Sequence, residues 1–66
     1  MKSLIKVERA KLNMTQQDLA DATGVSRQTI NSIEVGRYIP STVLALKISK
    51  VFKTTVNQIF QLEKDD

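Results

Sequence analysis

The chain has 66 residues, with 10 Lys and Arg against 7 Asp and Glu for a net charge of +3, and it contains neither Cys nor His. That length suits one domain spanning 1–66 with a marginal core, and the missing residue types exclude disulfides and the usual zinc-ligand sets, so oligomerisation is the remaining stabilising device. Val43-Leu44-Ala45-Leu46 is the longest apolar run, far short of the ~20 residues that span a bilayer, so a soluble, cytoplasmic protein is expected.

Charge is unevenly placed. Residues 1–53 hold nine basic and four acidic side chains, whereas Glu63-Lys64-Asp65-Asp66 is net acidic. A basic body suits a polyanionic partner, although +3 alone is also ordinary solubility charge.

With two glycines, one proline and almost no alternating stretch, the chain reads as all-α: helices joined by short turns. The first helix is expected over about Leu4 to Lys11, with Leu4, Ile5, Val7 and Ala10 on its inner face. Thr15-Gln16-Gln17-Asp18 has the form of a capping box, a hydroxyl and a carboxylate three residues apart. A second helix should start there, run through Leu19, Ala20 and Ala22, and stop at Gly24. Ser26 caps a third helix from Arg27 to about Val35, in which Ile30 and Ile33 share one face and almost everything else is polar.

Gly36 offers another stop, and Arg37-Tyr38-Ile39-Pro40 makes an irregular link. Ser41 can cap a fourth helix from Thr42 to Lys53, with Leu44, Ile48, Val51 and Phe52 as its inner stripe and Lys47, Lys50 and Lys53 outside. Thr55-Val56-Asn57-Gln58 repeats the capping-box form and should open a short fifth helix. Gln61-Leu62-Glu63 and Met1-Lys2-Ser3 could form a small antiparallel strand pair.

Between Gln16 and Val35, two short helices flank a tight glycine turn, and Leu19, Ala20, Val25, Ile30 and Ile33 stand where such helices must touch. Here the chain resembles the Cro/CI-type, or Xre, family of helix-turn-helix regulators. The resemblance is carried by Thr15-Gln16-Gln17-Asp18-Leu19-Ala20, Gly24-Val25-Ser26-Arg27-Gln28-Thr29-Ile30 and Ile33-Glu34-Val35-Gly36-Arg37, and covers about residues 4–60. In length the chain is similar to the short dimeric members of the family, such as the repressors of cytolysin operons.

The resemblance implies a five-helix bundle of the lambda-repressor type, with its helix-turn-helix at about 15–35, that binds double-stranded DNA as a homodimer. The third helix would lie in the major groove, with Arg27, Gln28, Thr29, Asn31 and Ser32 reading bases. Arg can grip guanine and Gln adenine through paired hydrogen bonds. Gln16, Gln17, Ser26, Arg37 and Tyr38 would hold phosphates, Gln16 from the start of the second helix where free N–H groups attract anions. Arg9 and Glu34 look like a structural ion pair between the first and third helices. Ile59, Phe60 and Leu62 are expected at a dimer interface, because so short a chain has little left to cover them.

The expected regulator is a repressor, since no further segment is present to recruit polymerase. A second reading makes it an antitoxin or adapter whose main role is to hold a protein partner. Catalysis is disfavoured: there is no His or Cys, no Gly-rich phosphate loop, and Asp18 and Asp21 are accounted for as cap and surface. No cofactor or metal is expected.

Overall fold

A computed structural model describes residues 1–66. Five helices and a two-stranded antiparallel sheet follow one another as β1 (Lys2–Ser3), α1 (Ile5–Lys11), α2 (Gln16–Thr23), α3 (Arg27–Glu34), α4 (Thr42–Phe52), α5 (Val56–Ile59) and β2 (Phe60–Gln61). The strands pair Lys2 with Gln61 and Ser3 with Phe60. They therefore meet one residue earlier on the C-terminal side than the alternation of residues 61–63 implied. The backbone N–H of Leu4 continues this seam by donating to Ile59 O over 2.7 Å.

Most of the helix starts follow from hydroxyl side chains. Thr15, Ser26 and Ser41 each accept a hydrogen bond from the backbone N–H three residues on, which satisfies a donor that the helix itself leaves free. Thr15 and Asp18 complete the reciprocal box. The second box does not form: Thr55 makes no side-chain cap, and the N–H of Gln58 donates instead to the Thr55 carbonyl at 3.0 Å. In a four-residue helix that tightened turn already uses the donor the hydroxyl would have taken.

The helix ends share one geometry. After α1, α2, α3 and α4, a residue with positive φ turns the chain: Asn13, Gly24, Gly36 and Lys53. Each time the following N–H reaches back five residues, Met14 to Arg9, Val25 to Ala20, Arg37 to Ser32 and Thr54 to Ser49, which is the Schellman arrangement. Glycine adopts the left-handed backbone freely, whereas Asn and especially Lys do so at some cost.

One core gathers all five helices: Ile5, Leu19, Ala20, Ile30, Ile33, Leu44, Ile48, Phe52, Ile59 and Phe60. Val51 packs partly against it. Val7 and Ala10, expected on the inner face of α1, are exposed. A seven-residue helix at the edge of the bundle sends only Ile5 fully inward, while Arg9 turns toward α3. Thr23, the one buried polar residue, donates its hydroxyl to Leu19 O at 2.8 Å, and no buried side-chain polar atom lacks a partner. No helix is long and apolar enough to cross a membrane.

Candidate nucleic-acid interface

The polar surface around α2 and α3 is built outward from the core. Ile30 and Ile33 are sealed against Leu19 and Ala20, which fixes the rotation of α3 about its axis. Arg27, Gln28 and Asn31 then stand exposed on the opposite side, with Thr29 and Ser32 half-buried at its margins. Gly24, with φ at 78° and open space where a Cβ would sit, is required by backbone conformation alone and sets the angle between the two helices.

The start of α2 points into an open groove lined by Arg9, Asn13, Thr15, Gln16, Gln17 and Arg27, among others. A second groove on the other side of the α3 N-terminus is lined by Ser26, Gln28, Thr29, Ser32 and Tyr38. The two grooves adjoin at the α3 N-terminus, where Arg27 lines one and Ser26 and Gln28 the other, and they contain most of the side chains that the sequence singled out. Asn31 and Arg37 border neither: Asn31 stands exposed one turn along α3, and the exposed Arg37 side chain extends from the loop after it. Thr15 and Asn13 also line the first groove, although no motif in the sequence marks them for this surface. Asn13 had a legible signal, because Asn after a helix favours the left-handed conformation it adopts here at φ 52°.

Several of these groups already have partners. The Ser26 hydroxyl accepts from Thr29 N–H at 3.0 Å and lies 2.9 Å from the Thr29 hydroxyl. Gln17 donates its amide to Asp21 Oδ1 at 2.8 Å, one turn along α2. Gln16 donates to Asn31 Oδ1 at 3.1 Å and to Glu34 Oε1 at 3.2 Å, which ties the start of α2 to α3. Its amide hydrogens are thus occupied within the protein.

Arg9 and Glu34 form a fork-to-fork pair, Nε to Oε2 at 2.7 Å and Nη2 to Oε1 at 3.1 Å, with both side chains largely buried. The hydrogen bond to Glu34 raises the Arg9 guanidinium above its ordinary range, more than offsetting desolvation. Arg9 Nη1 also donates to Met14 O at 2.8 Å, so one side chain joins the ends of α1 and α3 to the turn before α2. At the far end of that turn, the Thr15 N–H donated to Asp18 holds this carboxyl below the usual carboxylate range.

The three residues assigned to an interface separate. Ile59 is 0% exposed and Phe60 7% exposed, covered by the chain's own core, whereas Leu62 is 83% exposed. The premise that a second copy is needed to cover Ile59 and Phe60 therefore fails: β1 and α4 supply the cover. Unburied apolar surface lies elsewhere, at Val7, Leu12 and Val35 and, around α4, at Ile39, Val43 and Leu46. Val43 and Leu46 share a face of α4, and Leu46 borders an apolar groove with Met1, Pro40, Ala45, Val56 and Phe60. Lys47 and Lys50 flank a groove by Gly24, near the carbonyl end of α2.

Comparison with known proteins agrees with this architecture. A helix-turn-helix family model matches residues 5–59. The chain is 52% identical over 66 residues to an uncharacterised HTH-type transcriptional regulator of Methanocaldococcus jannaschii, covering all of both chains. It is 42% identical, again over the whole of both chains, to an uncharacterised HTH-type transcriptional regulator of Bacillus subtilis. It is also 34% identical over 61 residues to the ImmF control region 10 kDa protein of Bacillus phage phi105, spanning 92% of this chain and 68% of that protein.

Proposed function

The chain belongs to the Xre-type helix-turn-helix family and is a DNA-binding transcription regulator, and from that premise we propose that it is a single-domain, homodimeric repressor reading an inverted-repeat operator through α3 in the major groove. The observation that carries this reading is the rotation of α3: Ile30 and Ile33 are anchored inward, so Arg27 and Gln28 project from its first turn, the part of a recognition helix that reaches base edges. In this reading Arg27, Gln28 and Asn31 specify sequence, with Thr29 and Ser32 at the edge of the contact. The backbone N–H groups at the start of α2, with Gln16, Gln17, Ser26, Arg37 and Tyr38, hold phosphates and set register.

Two copies are required because one short helix reads too few base pairs to find an operator. The exposed apolar residues Ile39, Val43 and Leu46 support pairing through the α4 side of the molecule, and Leu62 after β2 is free to join. The body measures 31 × 22 × 20 Å, so two copies across a twofold axis can set their reading helices about one DNA turn, ~34 Å, apart. Repression follows from occupancy, since a protein seated over a promoter excludes polymerase without any further contact. The name of the phage relative, a control-region protein, fits this role.

The test is a titration against a site selected from a random DNA pool. Replacing Arg27 and Gln28 together with Ala should remove the preference for that site, about 1–3 kcal/mol per lost base contact, while weak binding to unrelated DNA persists. Selectivity that survives the double substitution would show that another element reads the bases. The same apolar α4 surface also favours a second reading, in which it holds a different protein. Light scattering separates the two: a clean dimer supports self-pairing, and a stoichiometric second protein in the purified material supports the partner.

A further inference from the structure

Gln16 has two amide hydrogens and both are spent inside the protein, one on Asn31 Oδ1 and one on Glu34 Oε1. The two bonds are unequal. Glu34 is an ionised, largely buried acceptor that Arg9 already holds in place, and hydrogen bonds to such groups are the stronger kind. The Asn31 bond joins two neutral amides in solvent, where net worth is small.

Asn31 lies one turn beyond Arg27 and Gln28 on the exposed side of α3, and Gln16 shares its groove with Arg27. A DNA phosphodiester lying in that groove would meet Arg27 and the free N–H groups at the start of α2. It would also compete for a hydrogen of the Gln16 amide. Since the Glu34 bond is the stronger, the Asn31 bond is the one that yields.

We propose that Gln16 and Asn31 form a latch coupling backbone docking to base reading: the latch is closed in the free protein, and a phosphodiester that takes Gln16 releases the Asn31 amide to a base edge. The proposal rests on the reading of α3 given above. Its consequence is an order of events, in which phosphate contact precedes and permits the Asn31 contact. Asn31 is then a specificity residue whose contribution is discounted by the bond it must break.

That discount has a sign, and a double-mutant cycle reads it. Binding to the selected repeat is measured for the wild type, Gln16→Ala, Asn31→Ala and the double variant, with folding checked by circular dichroism. Asn31 is exposed and Gln16 half-buried, and Glu34 keeps Arg9 in every variant. With a latch, Asn31→Ala weakens binding about threefold more in the Gln16→Ala background than in the wild type, because no bond to Gln16 then offsets the lost base contact. Equal costs in the two backgrounds overturn the proposal. So does a smaller cost in the Gln16→Ala background, which would make Gln16 a buttress that holds Asn31 in its reading pose. If the wild type does not prefer the selected repeat to scrambled DNA, the reading of α3 itself has failed, an outcome distinct from a cycle that closes additively on a selective protein.

Discussion

Two helices begin with the same four-residue form and are held in opposite ways. At α2, Thr15 and Asp18 satisfy each other's backbone donors at 2.9 Å in both directions. At α5, Thr55 and Gln58 do nothing of the kind, and the helix lasts four residues. The reason lies in what each end must face. The start of α2 opens into an exposed groove, where hydrogen bonds rather than burial keep it from fraying: the Thr15–Asp18 box, with Gln16 reaching Asn31 and Glu34. The start of α5 needs no such help, because Ile59 is locked in the core and Leu4 N–H grips its carbonyl. A capping sequence is thus used where burial is unavailable and left idle where burial suffices.

The sharpest way to break this comparison is at Ile59. Ile59→Ala should cost about 3 kcal/mol, since it removes the burial that substitutes for a cap and leaves a cavity. Urea unfolding at one fixed protein concentration measures it, and a loss under about 1 kcal/mol would mean that α5 is held by something other than its core contact. The caps come next. Thr15→Ala should cost about 1 kcal/mol, whereas Thr55→Ala should stay within about 0.5 kcal/mol of wild type. Equal losses at the two threonines would show that the second box forms in solution after all.

The smallest effect is in the acid limb. Asp18 has its carboxyl lowered by the Thr15 N–H, so the folded state holds the ionised form more firmly than the unfolded chain does. Its stabilisation is complete above the ordinary value of 3.8 and is lost as pH falls through the lowered folded value. Asp18→Asn should therefore lose less stability than wild type over that acid interval. At α5 no counterpart exists, because Gln58 does not titrate. A Gln58→Asn variant melted across the same interval should track the wild type, and parallel acid limbs for wild type and Asp18→Asn would remove the carboxylate from the account.

Much of the fold was open to sequence reading because it depends on residues close along the chain. Hydroxyls at 15, 26 and 41 mark helix starts, and glycines at 24 and 36 mark helix ends. Two helix ends of the same geometry carry no glycine: Asn13 still marks its end, as Asn tolerates the left-handed backbone, whereas Lys53 does not. Lys53 in particular reads as one more basic residue on the outside of α4, and only the closing bonds of that helix explain its backbone. The exposed set on α3 was legible for a local reason too: once Ile30 and Ile33 face inward, helical period assigns the rest.

By itself, the sequence determined where α2 and α3 lie, the turn between them, which face of α3 is buried and the family to which the chain belongs, because each depends on spacing within about twenty residues. Only the tertiary structure decided what covers Ile59 and Phe60, why Val7 and Ala10 stay outside, and that Gln16 holds Asn31 from 15 positions away. Those outcomes turn on which surfaces meet when α4 packs on α2 and α5, β1 pairs with β2, and Arg9 of α1 reaches Glu34. A helical or alternating pattern states that a side chain is apolar or polar at a given angle, and it leaves open which distant segment arrives to cover or bind it.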